Sequence, residues 1–162
     1  MRKFLFVFML SAVVTAACPV FAQVTGGAED GIQTQAGFIE TLLQKDSVTW
    51  KDVAALGYLS LSRDSTPPDF EGEEAFNYFK ESGIIREKFT PDSFVTQKEF
   101  SGFLVRLFDI KGSLWYSVFK TDGYAFRLLK YRGVVSSGDY GGDLMSGRKA
   151  LLLFTRASGE VE

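Results

Sequence analysis

Residues Ala75-Phe76-Asn77-Tyr78-Phe79-Lys80-Glu81-Ser82-Gly83-Ile84-Ile85 are answered fifty positions later by Ala125-Phe126-Arg127-Leu128-Leu129-Lys130-Tyr131-Arg132-Gly133-Val134-Val135. Each stretch places apolar residues at helical spacing and then meets a glycine. Gly83 and Gly133 are expected to stop their helices in the left-handed conformation, which costs glycine little. Ile84 can then fold back on Phe79, and Val134 on Leu129. The correspondence runs on: Thr96, Lys98, Phe103 and Arg106 fall on Ser146, Arg148, Leu153 and Arg156. A fixed period of this kind usually sets the whole architecture.

Working outward, Thr96-Gln97-Lys98-Glu99 is a capping box that opens a helix to about residue 108. Phe100, Phe103, Leu104 and Leu107 form its apolar stripe. Ser146 caps a last helix through Phe154 and Ala157. The unit is a helix, a glycine stop, a loop of 12 residues and a Thr or Ser cap opening the next helix. Thr49, with Asp52 three residues on, resembles the second half of an earlier copy, 47 residues before Thr96. A helix is also expected around Ile32, Ala36, Ile39, Leu42 and Leu43. Ser62 to Asp69 reads as a loop because Pro67 and Pro68 exclude helix. Ser113 to Phe119 reads as a short helix. The fold class is all-α: two to three degenerate helix-loop-helix repeats packed as one compact helical domain, with a partial repeat over about 32–64 and fuller ones over about 70–110 and 120–158.

The start of the chain reads as an export signal over residues 1–22. Arg2 and Lys3 precede an apolar run of about 14 residues, shorter than the roughly 20 a spanning helix needs. Residues 23–31 read as a flexible leader. Cys18, the only cysteine, lies in the signal; cleavage after Ala22 is the preferred reading over a lipid anchor on Cys18. Removal of residues 1–22 leaves 16 basic and 20 acidic residues, a net charge of −4. That balance gives no pull toward nucleic acid. Histidine is absent, which removes the commonest general base and metal ligand. No cofactor and no metal is expected, and no membrane span in the mature chain.

The segment from Ala75 through Gly83-Ile84-Ile85, Phe89-Thr90-Pro91-Asp92 and Val95-Thr96-Gln97-Lys98-Glu99-Phe100 resembles a repeat of the S-layer homology (SLH) family. The resemblance covers about 49–157 and is strong only at 75–106. It implies an exported bacterial protein whose helical bundle holds to the cell envelope by binding wall polysaccharide. In that family an arginine after the Thr is a ligand residue. The corresponding positions here are Trp50, Gln97 and Gly147, so none keeps it. Basic residues stand one place later, at Lys51, Lys98 and Arg148.

Lys51, Lys98 and Arg148 each fall in the first turn of a helix, where backbone N–H groups attract anions. They are the candidate anion or glycan ligands, with Trp50 beside them, since a first-turn residue next to a cap usually faces outward. Trp115, Tyr116, Tyr124 and Tyr131 are also able to stack on sugars, but their helical spacing favours the core. Ser117-Val118-Phe119-Lys120 has a Ser-x-x-Lys form without its companion motifs and is read as chance. Asp139 and Asp143 read as a polar turn, and Glu73 and Glu74 as first-turn acids. No catalytic residue is assigned. The expected role is a non-catalytic cell-envelope module whose partner is cell-wall polysaccharide, or alternatively a periplasmic structural or protein-interaction protein that has the fold but not the glycan site and binds another envelope protein.

Overall fold

The computed structural model describes residues 26–61, 72–112 and 121–160. Six helices span them: α1 (Gly26–Gln44), α2 (Trp50–Leu61), α3 (Gly72–Glu81), α4 (Gln97–Leu107), α5 (Asp122–Tyr131) and α6 (Gly147–Ser158). No strand occurs among the described residues, only the isolated antiparallel bridge pairs Thr49–Phe94 and Thr96–Leu144. The all-α expectation holds. Residues 1–22, read as an export signal and including Cys18, the expected loop over 62–69 and the expected short helix over 113–119 all lie outside the described residues.

The helix ends follow local chemistry. Gly83 and Gly133 take positive φ of 74° and 76°. The Gly83 N–H donates to the Lys80 carbonyl and the Ile85 N–H to Phe79, at 3.0 and 2.9 Å. Gly133 and Val135 bond Lys130 and Leu129 at matching offsets, both at 3.2 Å. At the opposite ends, the Thr96 N–H donates to Glu99 Oε2 at 3.0 Å and the Lys149 N–H to Ser146 Oγ at 3.4 Å. One boundary differs. Residues 26–31, expected as part of a flexible leader, belong to α1. Once residues 32–44 nucleate a helix, each further turn gains a backbone bond per residue ordered, so glycine weakens the extension without forbidding it.

The tertiary fold centres on three short segments that precede α2, α4 and α6. Their backbones form a closed ring of hydrogen bonds. Val48 N–H donates to Met145 at 2.8 Å, Met145 N–H to Val95 at 2.8 Å, and Val95 N–H to Val48 at 3.1 Å. All three side chains are fully buried. Buried amides and carbonyls need partners, and the ring satisfies them without a sheet. The next residues extend it: Trp50 N–H bonds Ser93, Gln97 N–H bonds Asp143 and Gly147 N–H bonds Lys45, at 3.1, 2.9 and 2.9 Å.

The closely packed helix pairs are α2 with α3, α4 with α5, and α1 with α6. They are offset by one helix from the sequence unit, which joined α3 to α4. The reason is the loop after each glycine stop: it carries the chain to the central ring, and the next helix leaves toward a different partner. The core is aromatic. Trp50 lies 4.5 Å from Phe89 and 6.3 Å from Phe103, and Phe79 lies 5.5 Å from Phe103, ring centre to ring centre. Gly57 admits these rings, since a Cβ there would stand 2.7 Å from Phe103.

Ionic contacts pin the periphery. Asp122, buried at the start of α5, bonds Arg106 at 3.0 Å and Arg86 at 3.3 Å. Arg106 Nε also donates to the Ile84 carbonyl at 2.6 Å. Gly102 on α4 leaves room for the Asp122 carboxylate, which a Cβ there would overlap. Arg156 reaches the Val134 carbonyl at 3.2 Å, fifty residues after its counterpart, Arg106, makes the same connection. No helix is long and apolar enough to cross a membrane among the described residues.

Candidate functional site

The three cations singled out in the sequence emerge where α2, α4 and α6 leave the ring. Lys51, Lys98 and Arg148 are all exposed. Their surroundings differ. Lys51 donates to Asp92 Oδ1 at 2.7 Å. That hydrogen bond, with the charge of Asp92, holds the Lys51 ammonium above its usual pKa. Lys98 and Arg148 form no side-chain hydrogen bond or ion pair among the described residues.

The helix N-termini themselves are largely occupied. In α2, the Trp50 and Lys51 N–H groups donate to Ser93 and Pro91, at 3.1 and 2.9 Å. In α4, those of Gln97 and Lys98 donate to Asp143 and Gly141, at 2.9 and 3.0 Å. A helix start attracts anions through its free N–H groups, and here neighbouring loops have already taken them. Any anion attraction at α2 and α4 therefore comes from side chains. The third cap residue reinforces the difference between segments. Asp52 and Glu99 reach back to Thr49 and Thr96, but their counterpart in α6 is Lys149, which pairs with Asp139 at 2.6 Å.

Trp50 is placed otherwise than expected. It is fully buried, packed between Phe89 and Phe103. The first turn of α2 docks on the 90–95 loop, so its outward side faces protein instead of solvent. Its Nε1 finds no hydrogen-bond partner. Gln97, at the matching place in α4, is also buried, and its Oε1 is unpaired. Gly147 completes the set: a Cβ there would overlap the Leu42 carbonyl. All three of these corresponding positions are thus enclosed.

Tyr131 departs from expectation in the opposite sense, at 92% exposed. It ends α5 one residue before the cap, where the helix face no longer meets α4. Three further exposed side chains went unnoticed in the sequence. Tyr140 is 71% exposed; Phe94 and Leu144 are 58% and 51% exposed at positions fifty apart, each immediately before a ring residue. Alternation was the available signal for the last two, because the buried Val95 and Met145 turn their neighbours outward.

Among the described residues, no group of three or more His, Cys, Asp or Glu side chains is placed to hold a metal ion. No family model, curated protein or solved structure matches the chain.

Proposed function

We propose that this chain is a non-catalytic module of the bacterial cell envelope, an exported SLH-like protein that binds cell-wall glycan. The observation carrying this reading is that Lys98 and Arg148 are exposed and unpaired at corresponding first-turn positions beside the central ring. An exposed cation with no internal partner keeps its charge available to an anionic polymer. The enclosed Trp50, Gln97 and Gly147 mean that binding relies on the shifted cations and not on the family's arginine position. The envelope location follows from the export-signal reading of residues 1–22, with a lipid anchor through Cys18 as the alternative to cleavage.

Retention of the purified protein on isolated cell-wall sacculi tests this, with and without wall polymers stripped. Binding that requires the polymer and is lost in a Lys51/Lys98/Arg148→Ala variant is the expected result. Absence of retention on either preparation overturns it.

A second reading has its own support. Phe94 and Leu144 present apolar surface next to the ring, which suits a periplasmic structural protein that binds another envelope protein. Absence of sacculus retention, together with a cross-linked protein partner that is lost in a Phe94→Ser/Leu144→Ser variant, would favour it.

A further inference from the structure

One side of α6 is exposed where its counterparts are covered. Six residues after the caps Thr49 and Thr96 stand Ala55 and Gly102, both buried. Six residues after Ser146 stands Leu152, which is 48% exposed. Arg106, ten residues after Thr96, receives the Asp122 carboxylate from α5 at 3.0 Å. Its counterpart Arg156 is exposed and keeps only its bond to the Val134 carbonyl among the described residues. The end of α1 meets α6 on another side, at Gly147. The outward side of α6 therefore carries Arg148, Leu152 and Arg156 at i, i+4 and i+8, an apolar residue between two cations on one face.

The outward side of α3 has the converse composition. Glu74, Tyr78 and Glu81 stand at i, i+4 and i+7 and are all exposed, Tyr78 at 51%. Neither glutamate forms a hydrogen bond or ion pair among the described residues. The neighbouring Lys80 is turned away, toward the Phe89 carbonyl at 3.3 Å and the Phe76 ring. At 1.5 Å per residue, the glutamates stand about 10.5 Å apart along α3 and the arginines about 12 Å apart along α6. The two faces thus have similar lengths, opposite charges and one large apolar or aromatic side chain at the centre. Neither suits a copy of itself. Paired α6 faces would set arginine against arginine, and paired α3 faces glutamate against glutamate.

We propose that the acidic face of α3 in one copy of this chain docks on the basic face of α6 in a second copy. Two different patches meet, so the contact is head-to-tail and leaves one face of each kind free at the ends of the assembly. Tyr78 against Leu152 forms the apolar centre, and the flanking glutamates and arginines fix orientation and partner. A contact of this size is weak and reversible. The inference goes beyond the glycan-binding reading. Lys51 and Lys98 take no part in it, and the contact centres on Leu152 and Arg156.

Sedimentation velocity of the purified protein, from about 10 µM to about 1 mM, tests the assignment. The average mass should rise with concentration at low salt and fall back toward the monomer at roughly 0.5 M salt, where exposed charges are screened. Glu74→Lys/Glu81→Lys and Leu152→Ser/Arg156→Glu should each weaken association more than about tenfold. Tyr131→Ser, which alters an exposed aromatic on neither face, should leave it unchanged. Mixed in equal amounts, the two double variants should form a pair and nothing larger, because one keeps the basic face and the other the acidic face. If either double variant melts below the parent, Glu74→Gln/Glu81→Gln and Arg156→Gln repeat the test by removing charge instead of reversing it. A protein that stays monomeric at low salt overturns the proposal. So does association that survives the variants of either face, association lost in Tyr131→Ser, or a mixture that fails to pair. Sacculus retention is read separately, so failure here leaves the glycan-binding reading in place.

Discussion

Gly147→Ala tests the ring directly. A Cβ at this position would overlap the Leu42 carbonyl, so α1 has to withdraw from the start of α6. Two backbone bonds cross that seam, Gly147 N–H to Lys45 at 2.9 Å and Val48 N–H to Met145 at 2.8 Å. Losing both costs about 2 kcal/mol, and displacing a packed neighbour adds roughly 1–3 kcal/mol. Alanine's better helix propensity returns up to about 1 kcal/mol. The expected net loss is about 2–5 kcal/mol, a large part of an ordinary domain's stability of roughly 5–15 kcal/mol. Urea unfolding at constant m-value measures it, and hydrogen exchange at the Val48 amide locates it. Gly37→Ala is the control. It meets nothing within 4 Å and should stabilise the interior of α1 by about 0.5–1 kcal/mol. A Gly147→Ala loss below about 0.5 kcal/mol, with Val48 still protected, would refute the claim that this glycine is demanded by the closing of the ring.

Asp122→Ala leaves Arg86 and Arg106 without their shared carboxylate and should cost about 3 kcal/mol in thermal or urea unfolding. Gly102→Ala should be destabilising in the parent but tolerated once Asp122 is alanine, giving a coupling of about 1 kcal/mol or more in a double-mutant cycle. Gly83→Ala and Gly133→Ala should each lose about 1–2 kcal/mol, because both positions require positive φ. Burial opposes the charge of Asp52, but its bonds from Lys45 and Thr49 outweigh that and hold its carboxyl below the usual range. A depressed folded pKa contributes stability that is present above the unfolded value and lost as pH falls through the folded one. The parent should therefore lose stability below about pH 4 more steeply than Asp52→Asn, as read by urea midpoints across pH.

The parts of this protein legible in its sequence are those whose causes span a few residues. The Thr96–Glu99 box is a three-residue interaction, and the Gly83 stop joins Ile85 to Phe79 over six. Apolar spacing identified which faces of α3, α4 and α5 turn inward. The three cations were legible as first-turn residues, since the caps before them fix their place. Their inequality was not. Asp92 neutralises Lys51 from 41 residues away, and nothing near Lys51 announces it.

Trp50 and Tyr131 show the same division from both sides. Local position argued that a residue beside a cap faces water and that a tyrosine at helical spacing faces the core. Each argument reads only the chain's own helix. Burial is decided by what other segments bring to that helix, and the 90–95 loop closes over Trp50 while nothing described covers Tyr131. By itself, then, the sequence determined where helices start, stop and turn their apolar sides, because capping and periodicity act within one or two turns. Only the tertiary structure decided the central ring, the pairing of helices across it, and that Lys98 and Arg148 stay free while Lys51 is paired. Those outcomes depend on backbone groups far apart in the chain finding one another.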